Sequence, residues 1–132
     1  AITGQPVPIF GSGQRRHSFI AARDVAAFTI AAVENPAAIN RRLPLGGPAA
    51  VSYMDVVETY TRVLGRPPAL HQVAPGERVP GIPEAVLGLA AGMDQYDSIV
   101  PMEDLAGEFG VPMTDLETFA RAQVAQMAAT AH

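Results

Sequence analysis

Short apolar runs alternate with longer stretches of helical periodicity, and this alternation constrains the fold of the chain most strongly. Residues 16–22 end in a strand-like apolar run, and residues 23–33 carry apolar side chains at roughly helical spacing. Asn35-Pro36 should end that helix because the residue before a proline is pushed out of the helical region. A second apolar run follows at residues 42–45. Strand, helix and strand at this spacing predict a βαβ crossover unit in a parallel sheet.

A further apolar run at residues 7–10 precedes the sequence Gly11-Ser12-Gly13. Glycine supplies the permissive backbone that a tight turn needs, so we predict a strand followed by a hairpin-like bend. The two glycines also suit a phosphate-binding loop, but such a loop should lead into the N-terminus of a helix. Because the next element is predicted to be a strand, we favour the turn.

The middle of the chain carries clear signals for the two ends of one helix. Ser52 and Asp55 form a capping-box pattern, with Asp in place of the usual Glu, and apolar residues at helical spacing follow. Gly65 suits the position just beyond the end of this helix. Residues 69–73 are predicted to add one more short strand.

Three more helices are predicted in the last third of the chain. The first, residues 84–93, is strongly apolar; it can line a substrate pocket or belong to the core, and we favour the core. The second covers residues 104–109 and is closed by Gly110. Thr114 and Glu117 resemble a capping box that opens the third. The buried stripe of that last helix is expected to be Leu116, Phe119, Val124 and Met127.

The composition of the chain excludes several classes of partner and tells less about its chemistry. The 132 residues carry a net charge of -4 and no long basic run, so a nucleic-acid partner is not expected. No apolar run approaches the roughly 18 residues that span a bilayer, so we expect no membrane association and a cytoplasmic location. The absence of Cys excludes thiolate metal sites and a Cys nucleophile.

Four phrases occur in an order that is typical of one enzyme family. They are FIAARDVA at residues 19–26, LGGP at 45–48, VLGR at 63–66 and DLAGEFGVP at 104–112. In this order they resemble the second half of NmrA-like and other atypical or extended short-chain dehydrogenases/reductases. The resemblance implies an α/β fold, the C-terminal part of a Rossmann-like doubly wound sheet. Residues 1–48 would supply a βαβ unit of that sheet, and residues 49–132 a mainly helical, substrate-side segment of the same domain.

Two family motifs are missing from the sequence. Neither the dinucleotide fingerprint G-x-x-G-x-x-G nor a Tyr-x-x-x-Lys pair occurs. The resemblance therefore implies NAD(P) in the full-length family but no cofactor for this chain alone. Residues 1–4 read like the tail of a helix, which favours a fragment. Two or three short strands make no stable parallel sheet, so we expect a missing N-terminal half or a homo-oligomer partner to cover it.

The resemblance places candidate substrate-binding residues at the start of the run at residues 16–22. These are Arg16 and His17, because arginine can donate two hydrogen bonds to an anion and histidine carries a switchable proton. Strand alternation would put them on opposite faces, so at most one is expected to face a pocket. Arg15 is better explained as a solvated residue. Asp24 is interpreted as structural, an acid in the first turn of a helix.

No other polar residue supports a stronger assignment, and the catalytic residues remain unknown. His71 and His132 each lack a partner at metal-ligand spacing, so both are expected at the surface and no metal is expected. Four acids at 94, 97, 103 and 104 could perform acid/base chemistry, but a solvated loop and helix start explain them more simply.

Three functions remain open from the sequence. The first is the substrate-side portion of an NAD(P)-dependent oxidoreductase that binds a small-molecule substrate and transfers no hydride by itself. The second is a cofactor-free unit, derived from that family, that binds a small molecule or regulates a partner. The third is an isomerase or cyclase that uses only a shaped pocket with a His or a carboxylate.

Overall fold

The computed structural model describes residues 4–130, and within them the chain is a mixed α/β structure, as predicted. The predictions for residues 1–3 and for His132 lie outside this range. The elements in chain order are β1 (Val7–Phe10), α1 (Ala22–Glu34), a 3₁₀ turn (Pro36–Ala38), α2 (Tyr53–Leu64), β2 (Leu70–Val73), α3 (Glu84–Met93), α4 (Glu103–Phe109) and α5 (Leu116–Thr130).

The sheet of the described residues has two parallel strands, and it is not the sheet predicted from residues 1–48. Strand β1 pairs with β2 in the register Val7↔Leu70 to Phe10↔Val73, so the crossover passes through both α1 and α2. The predicted strands at residues 16–22 and 42–45 do not form. A strand needs a neighbour for its backbone hydrogen bonds, and these runs find no continuous one. The division of the chain at residue 48 stays a prediction.

The hairpin-like bend after β1 was also predicted wrongly. Gly11 and Gly13 do adopt positive φ angles of 56° and 65°, as a tight turn requires. The chain then leaves the sheet instead of returning along β1, and among the described strands β1 pairs with β2 alone.

One face of α1 forms the main core of the molecule. Phe28 on α1 is 1% exposed and packs with Met102, Phe109 and Val111 from the segment around α4. Helix α1 ends at Asn35, and the Asn35 side chain accepts a hydrogen bond from the backbone N–H of Ala37, which starts the 3₁₀ turn. The proline stop therefore acts as predicted.

The predicted signals at both ends of α2 are confirmed. The Ser52 hydroxyl accepts from the Asp55 N–H at 3.1 Å, and the Asp55 carboxylate accepts from the Ser52 N–H at 2.7 Å. The hydrogen bond from the Ser52 N–H is the largest of the effects that hold the pKa of the Asp55 carboxyl below its usual range. Gly65 ends the helix in the left-handed region with a φ of 70°. Helix α2 packs along α5.

Helix α3 has the predicted bounds but not the predicted environment. Only Ala90 is buried, while Val86 and Leu89 are 48% and 62% exposed. The core interpretation of this helix is therefore wrong for most of its length, because no described element covers its outer face.

Helices α4 and α5 follow the predictions in part. Gly110 closes α4 in the left-handed region, as predicted. The capping box at Thr114 and Glu117 is wrong, because Asp115 accepts the hydrogen bond from the Thr118 N–H, at 2.7 Å. The predicted stripe of α5 is incomplete as well. Ala120 is its buried residue, whereas Phe119 and Met127 are each 38% exposed.

Candidate functional site

His17 is the point at which three separated segments of the chain meet. Its backbone exchanges two hydrogen bonds of 3.0 Å with Val51, which lies just before α2. On the other side, the Ser98 N–H donates to the Arg16 carbonyl at 2.8 Å, and the Ser98 carbonyl accepts from Ser18 at 2.9 Å. The apolar run at residues 16–22 is thus extended here but forms isolated bridges instead of a strand.

The His17 side chain is 3% exposed, and only one of its two ring nitrogens has a hydrogen-bond partner within residues 4–130. Its Nε2 lies 3.1 Å from the Met93 carbonyl, which can only accept, so Nε2 carries a proton. Within residues 4–130 its Nδ1 is buried and has no hydrogen-bond partner. The ring packs against Phe19 at 5.5 Å and edge-on against Tyr96 at 6.0 Å. His17 is thus a buried imidazole in an aromatic setting, with one nitrogen available.

Arg16 and His17 differ sharply in burial, because Arg16 is exposed whereas His17 is 3% exposed. Arg16 is exposed, and its N–H donates to the Asp97 carboxylate at 3.0 Å. Its guanidinium makes no hydrogen bond or ion pair with any residue from 4 to 130. Arg15 was expected to be a solvated residue, but it contacts two acids. Its Nε donates to the Asp94 carbonyl at 3.2 Å, and its guanidinium lies 4.0 Å from the Asp97 carboxylate.

The Gly11-Ser12-Gly13 turn already holds an anion that belongs to the chain. The Ser12 N–H and hydroxyl donate to the Asp94 carboxylate at 3.1 and 3.0 Å. A Cβ at Gly11 would overlap that carboxylate, which explains the glycine there. Asp94 therefore accepts hydrogen bonds from the turn, and Asp97 accepts one from the Arg16 N–H. Neither acid is simply solvated. The turn interpretation is supported over the phosphate-loop alternative.

Asp24 has the structural position that its sequence context indicates. It is 3% exposed and accepts from both the N–H and the hydroxyl of Thr114, each at 2.7 Å. The Arg23 guanidinium lies 3.8 Å away. These contacts tie the start of α1 to the loop before α5. The Thr114 hydroxyl oxygen, which would act as the acceptor in a cap, instead accepts from the Arg23 Nε at 2.8 Å.

His71 is a surface residue, as predicted. Its side chain is about half exposed, and Nε2 lies 2.7 Å from the Glu77 carboxylate. This contact and the Ala74 N–H lower the pKa of the Glu77 carboxyl, the N–H having the larger effect. Nowhere between residues 4 and 130 do three His, Asp or Glu side chains gather as a metal site would require. No helix in that range is long and apolar enough to cross a bilayer.

A cavity of 820 Å³ lies between α2 and α5, and we call it the α2–α5 cleft. Tyr53, Val56 and Tyr60 line it from α2, at the spacing of one helix face. Leu116 and Phe119 face it from α5. Phe19 and its neighbours up to residue 21 close one end, together with residues 48, 49 and 51. Arg62, Glu117 and Arg121 stand at its polar rim.

The sequence analysis did not assign this cleft. The spacing of its α2 residues was visible, but a stripe at helical spacing does not reveal whether the surface opposite it is filled. Neither Arg16 nor His17 lines the cleft. Phe19 connects the two regions, because its ring contacts His17 and also Tyr53, at 5.7 Å.

Known proteins resemble this chain in sequence over most of its length. It is 30% identical over 129 residues to an NAD(P)H azoreductase from Xenophilus azovorans. The match takes in 89% of this chain but 44% of that enzyme, so the chain spans less than half the length of the curated relative. No family model matches the chain.

Two solved structures share the fold. One is UDP-glucuronic acid 4-epimerase from Bacillus cereus in complex with NAD, with a TM-score of 0.66 and 16% identity. It matches 94% of this chain and 33% of that one. A mutant of the same enzyme, with UDP-4-deoxy-4-fluoro-glucuronic acid and NAD, has a TM-score of 0.69 and 18% identity over 98% of this chain and 37% of its own.

The chain therefore has the fold of part of the UDP-glucuronic acid 4-epimerase structure. The α/β class and the Rossmann-like relationship predicted from the sequence are confirmed by these neighbours. The sequence match adds similarity to an NAD(P)H-dependent oxidoreductase.

Proposed function

We propose that this chain is the substrate-side part of an NAD(P)-dependent oxidoreductase of the NmrA-like or atypical short-chain dehydrogenase type. The observation that carries the proposal is the match to NAD(P)H azoreductase, which takes in nearly all of this chain and less than half of that enzyme. The sequence contains no G-x-x-G-x-x-G fingerprint. The nicotinamide cofactor would accordingly be held by a nucleotide-binding half outside these residues, and the chain alone transfers no hydride.

In this proposal Arg16 and His17 contact the small-molecule substrate. The exposed Arg16 guanidinium makes no ion pair within residues 4–130, so it can donate two hydrogen bonds to an anionic or carbonyl group. The His17 ring is 3% exposed and packs against Phe19. Because Arg16 is exposed and His17 is buried, Arg16 would bind the substrate directly and His17 would shape the adjoining wall.

The first test is a titration of the purified chain with NADPH and with NADH, followed by the dinucleotides' own fluorescence. The chain has no Trp, so the nicotinamide signal is free of indole fluorescence. We expect no enhancement at dinucleotide concentrations that saturate the azoreductase. Tight binding would mean that the cofactor site lies within these residues, and the proposal would be wrong.

The second test joins this chain to the nucleotide-binding part of a related enzyme and measures whether the product oxidises NADPH. A chimera carries this chain in place of the matching 129-residue region of the azoreductase. We expect it to bind NADPH and to oxidise it in the presence of an acceptor substrate. Arg16→Gln should raise the KM for the acceptor about tenfold and leave the Kd for NADPH unchanged. Arg66→Gln, at an exposed site beyond α2, is the matched control and should change neither constant.

A further inference from the structure

The buried ring of His17 contains a polar atom that no contact explains. Within residues 4–130 its Nδ1 is buried and has no hydrogen-bond partner. Buried polar atoms in folded proteins are nearly always hydrogen-bonded, so an exception points to strain or to a function. In the proposed oxidoreductase role His17 only shapes a wall, and that role makes no use of this nitrogen.

The neutral form of the His17 ring suits its site. Its one proton lies on Nε2, which donates to the carbonyl of Met93, the last residue of α3, at 3.1 Å. The buried Nδ1 then carries a lone pair. Under-satisfied buried acceptors occur more often in proteins than buried N–H groups without an acceptor. The neutral ring therefore leaves only the less costly kind of group unpaired.

A second proton on the His17 ring can bind only at Nδ1. It would bury an N–H without an acceptor and a positive charge at the same point. Burial of an unpaired charge is strongly unfavourable, because the protein interior solvates it poorly. The rings that pack against His17 belong to Phe19 and Tyr96, so these packing partners are aromatic side chains and not carboxylates.

The charged groups around His17 do not compensate such a proton either. The charged and titratable side chains on the three segments that meet at His17 are two arginines, three aspartates and two tyrosines: Arg15, Arg16, Asp55, Asp94, Asp97, Tyr53 and Tyr96. Each of the three carboxylates accepts a hydrogen bond from a backbone N–H, and within residues 4–130 none is hydrogen-bonded to the His17 ring. The two arginines add positive charge to the segment that contains His17.

Residues 93–98 cover one side of the His17 ring. The Ser98 N–H donates to the Arg16 carbonyl at 2.8 Å, and the Ser98 carbonyl accepts from the Ser18 N–H at 2.9 Å. A movement of residues 93–98 away from the ring would bring Nδ1 to water. It would leave intact the two backbone hydrogen bonds between His17 and Val51. This open state can accommodate a protonated ring, whereas the closed state cannot.

We propose that His17 is a pH-sensitive switch whose neutral ring holds residues 93–98 in place and whose protonation releases them. A histidine side chain in water takes up a proton near pH 6.5. Because the open state binds that proton and the closed state does not, the closed state loses stability as the pH falls below about 6.5. The switch requires neither cofactor nor substrate, so it is independent of the proposed oxidoreductase role.

The test follows the parent chain by NMR from about pH 7.5 to about pH 5. The ring nitrogen signals of His17 report its protonation. The exchange rates of the Ser18 and Ser98 amides, divided by their intrinsic rates at each pH, give the opening constant of residues 93–98. We expect this constant to rise about tenfold for each pH unit below about 6.5, because opening takes up one proton. The amides around Phe28 in α1 should keep a constant ratio.

Two variants make the test specific. His17→Gln keeps a donor for the Met93 carbonyl but cannot be protonated, so its opening constant should vary less than about twofold over the same pH range. His71→Gln is the matched control, because His71 is an exposed histidine paired with Glu77. It should keep the pH response of the parent chain.

The proposal would be overturned by an opening constant that does not change with pH, or by the same pH response in His17→Gln as in the parent chain. A His17 ring that takes up a proton while the Ser98 amide stays protected would also overturn it. If His17→Gln does not fold, the ring nitrogen signals and the Ser98 amide of the parent chain decide the question.

Discussion

Helices α1 and α3 are both rich in apolar residues, yet they are attached to the molecule in different ways. Helix α1 buries one face against the α4 segment, with Phe28 1% exposed. Helix α3 buries only Ala90 along its length. Its outer residue Leu89 remains 62% exposed. An apolar composition therefore does not decide burial, because a helix is buried only where a second element supplies the opposite surface.

Helix α3 is instead held by polar contacts at its C-terminal end. The His17 Nε2 donates to the Met93 carbonyl at 3.1 Å, and the next residue, Asp94, accepts from the Ser12 N–H and hydroxyl. Such bonds fix the position of an end without stabilising the whole helix. We therefore expect α1 to respond to mutation through the global stability of the chain, and α3 through local opening.

The largest effect is expected at the buried ring of α1. Phe28→Ala should lower the free energy of unfolding by about 3–5 kcal/mol, because a fully buried phenyl ring is lost and leaves a cavity. Urea unfolding followed by circular dichroism measures the change. Val33→Ala on the same helix, at a residue 83% exposed, is the control and should cost less than about 0.5 kcal/mol. Similar losses in the two variants would contradict the assigned core.

A smaller loss is expected where α1 is tied to the loop before α5. Asp24→Ala should cost about 1–3 kcal/mol, because the half-buried Thr114 N–H and hydroxyl lose the carboxylate to which they donate. Thermal and urea unfolding should agree on this value. Glu34→Ala, an exposed acid at the other end of α1, should leave stability nearly unchanged. An Asp24→Ala variant with the same free energy of unfolding as the parent chain would show that the hydrogen bonds from Thr114 to Asp24 do not stabilise the fold.

The attachment of α3 should respond locally. Asp94→Ala removes the acceptor of the Ser12 N–H and hydroxyl, so the amide hydrogens of α3 should exchange roughly fivefold faster. The exchange of α1 amides should not change. Gln95→Ala is the neighbouring control, because no side-chain hydrogen bond to Gln95 occurs within residues 4–130. Faster exchange throughout the chain would mean that α3 and α1 form one cooperative unit.

The smallest effect is expected on the outer face of α3. Leu89→Ser should change the free energy of unfolding by less than about 0.5 kcal/mol, since a residue 62% exposed loses little buried area. A loss of 2 kcal/mol or more would show that this face is covered in solution. In that case sedimentation of the parent chain and of the variant would reveal whether a second copy covers it.

The sequence anticipated local structure well where a signal acts within one turn of the chain. The Ser52 and Asp55 capping box, the left-handed Gly65 and Gly110, and the bounds of α3 follow from neighbouring residues alone. Thr114 shows where such reasoning stops. Its capping pattern is correct by spacing, but Asp24, ninety positions away along the chain, takes both of its donors, and the Arg23 Nε donates to the hydroxyl oxygen that would cap the helix.

Strand pairing and burial required the tertiary structure. Residues 42–45 have the composition of a strand, yet they form none because no neighbour within residues 4–130 pairs with them, while β1 pairs with distant β2. In the candidate site, too, some features follow from the sequence and others only from the tertiary structure. The alternation of an extended backbone predicts different environments for Arg16 and His17, and the two residues do differ in burial, whereas the α2–α5 cleft exists only because two helices distant in sequence pack without filling the space between them.

By itself, then, the sequence determined the α/β class, the helix ends and the resemblance to part of a short-chain dehydrogenase/reductase. These depend on interactions of a few neighbouring residues, whose geometry the backbone fixes. The tertiary structure decided which strands pair, which apolar helix is buried and where a cavity remains. Those outcomes depend on contacts between distant segments, and a one-dimensional pattern records which face is apolar but not what lies opposite it.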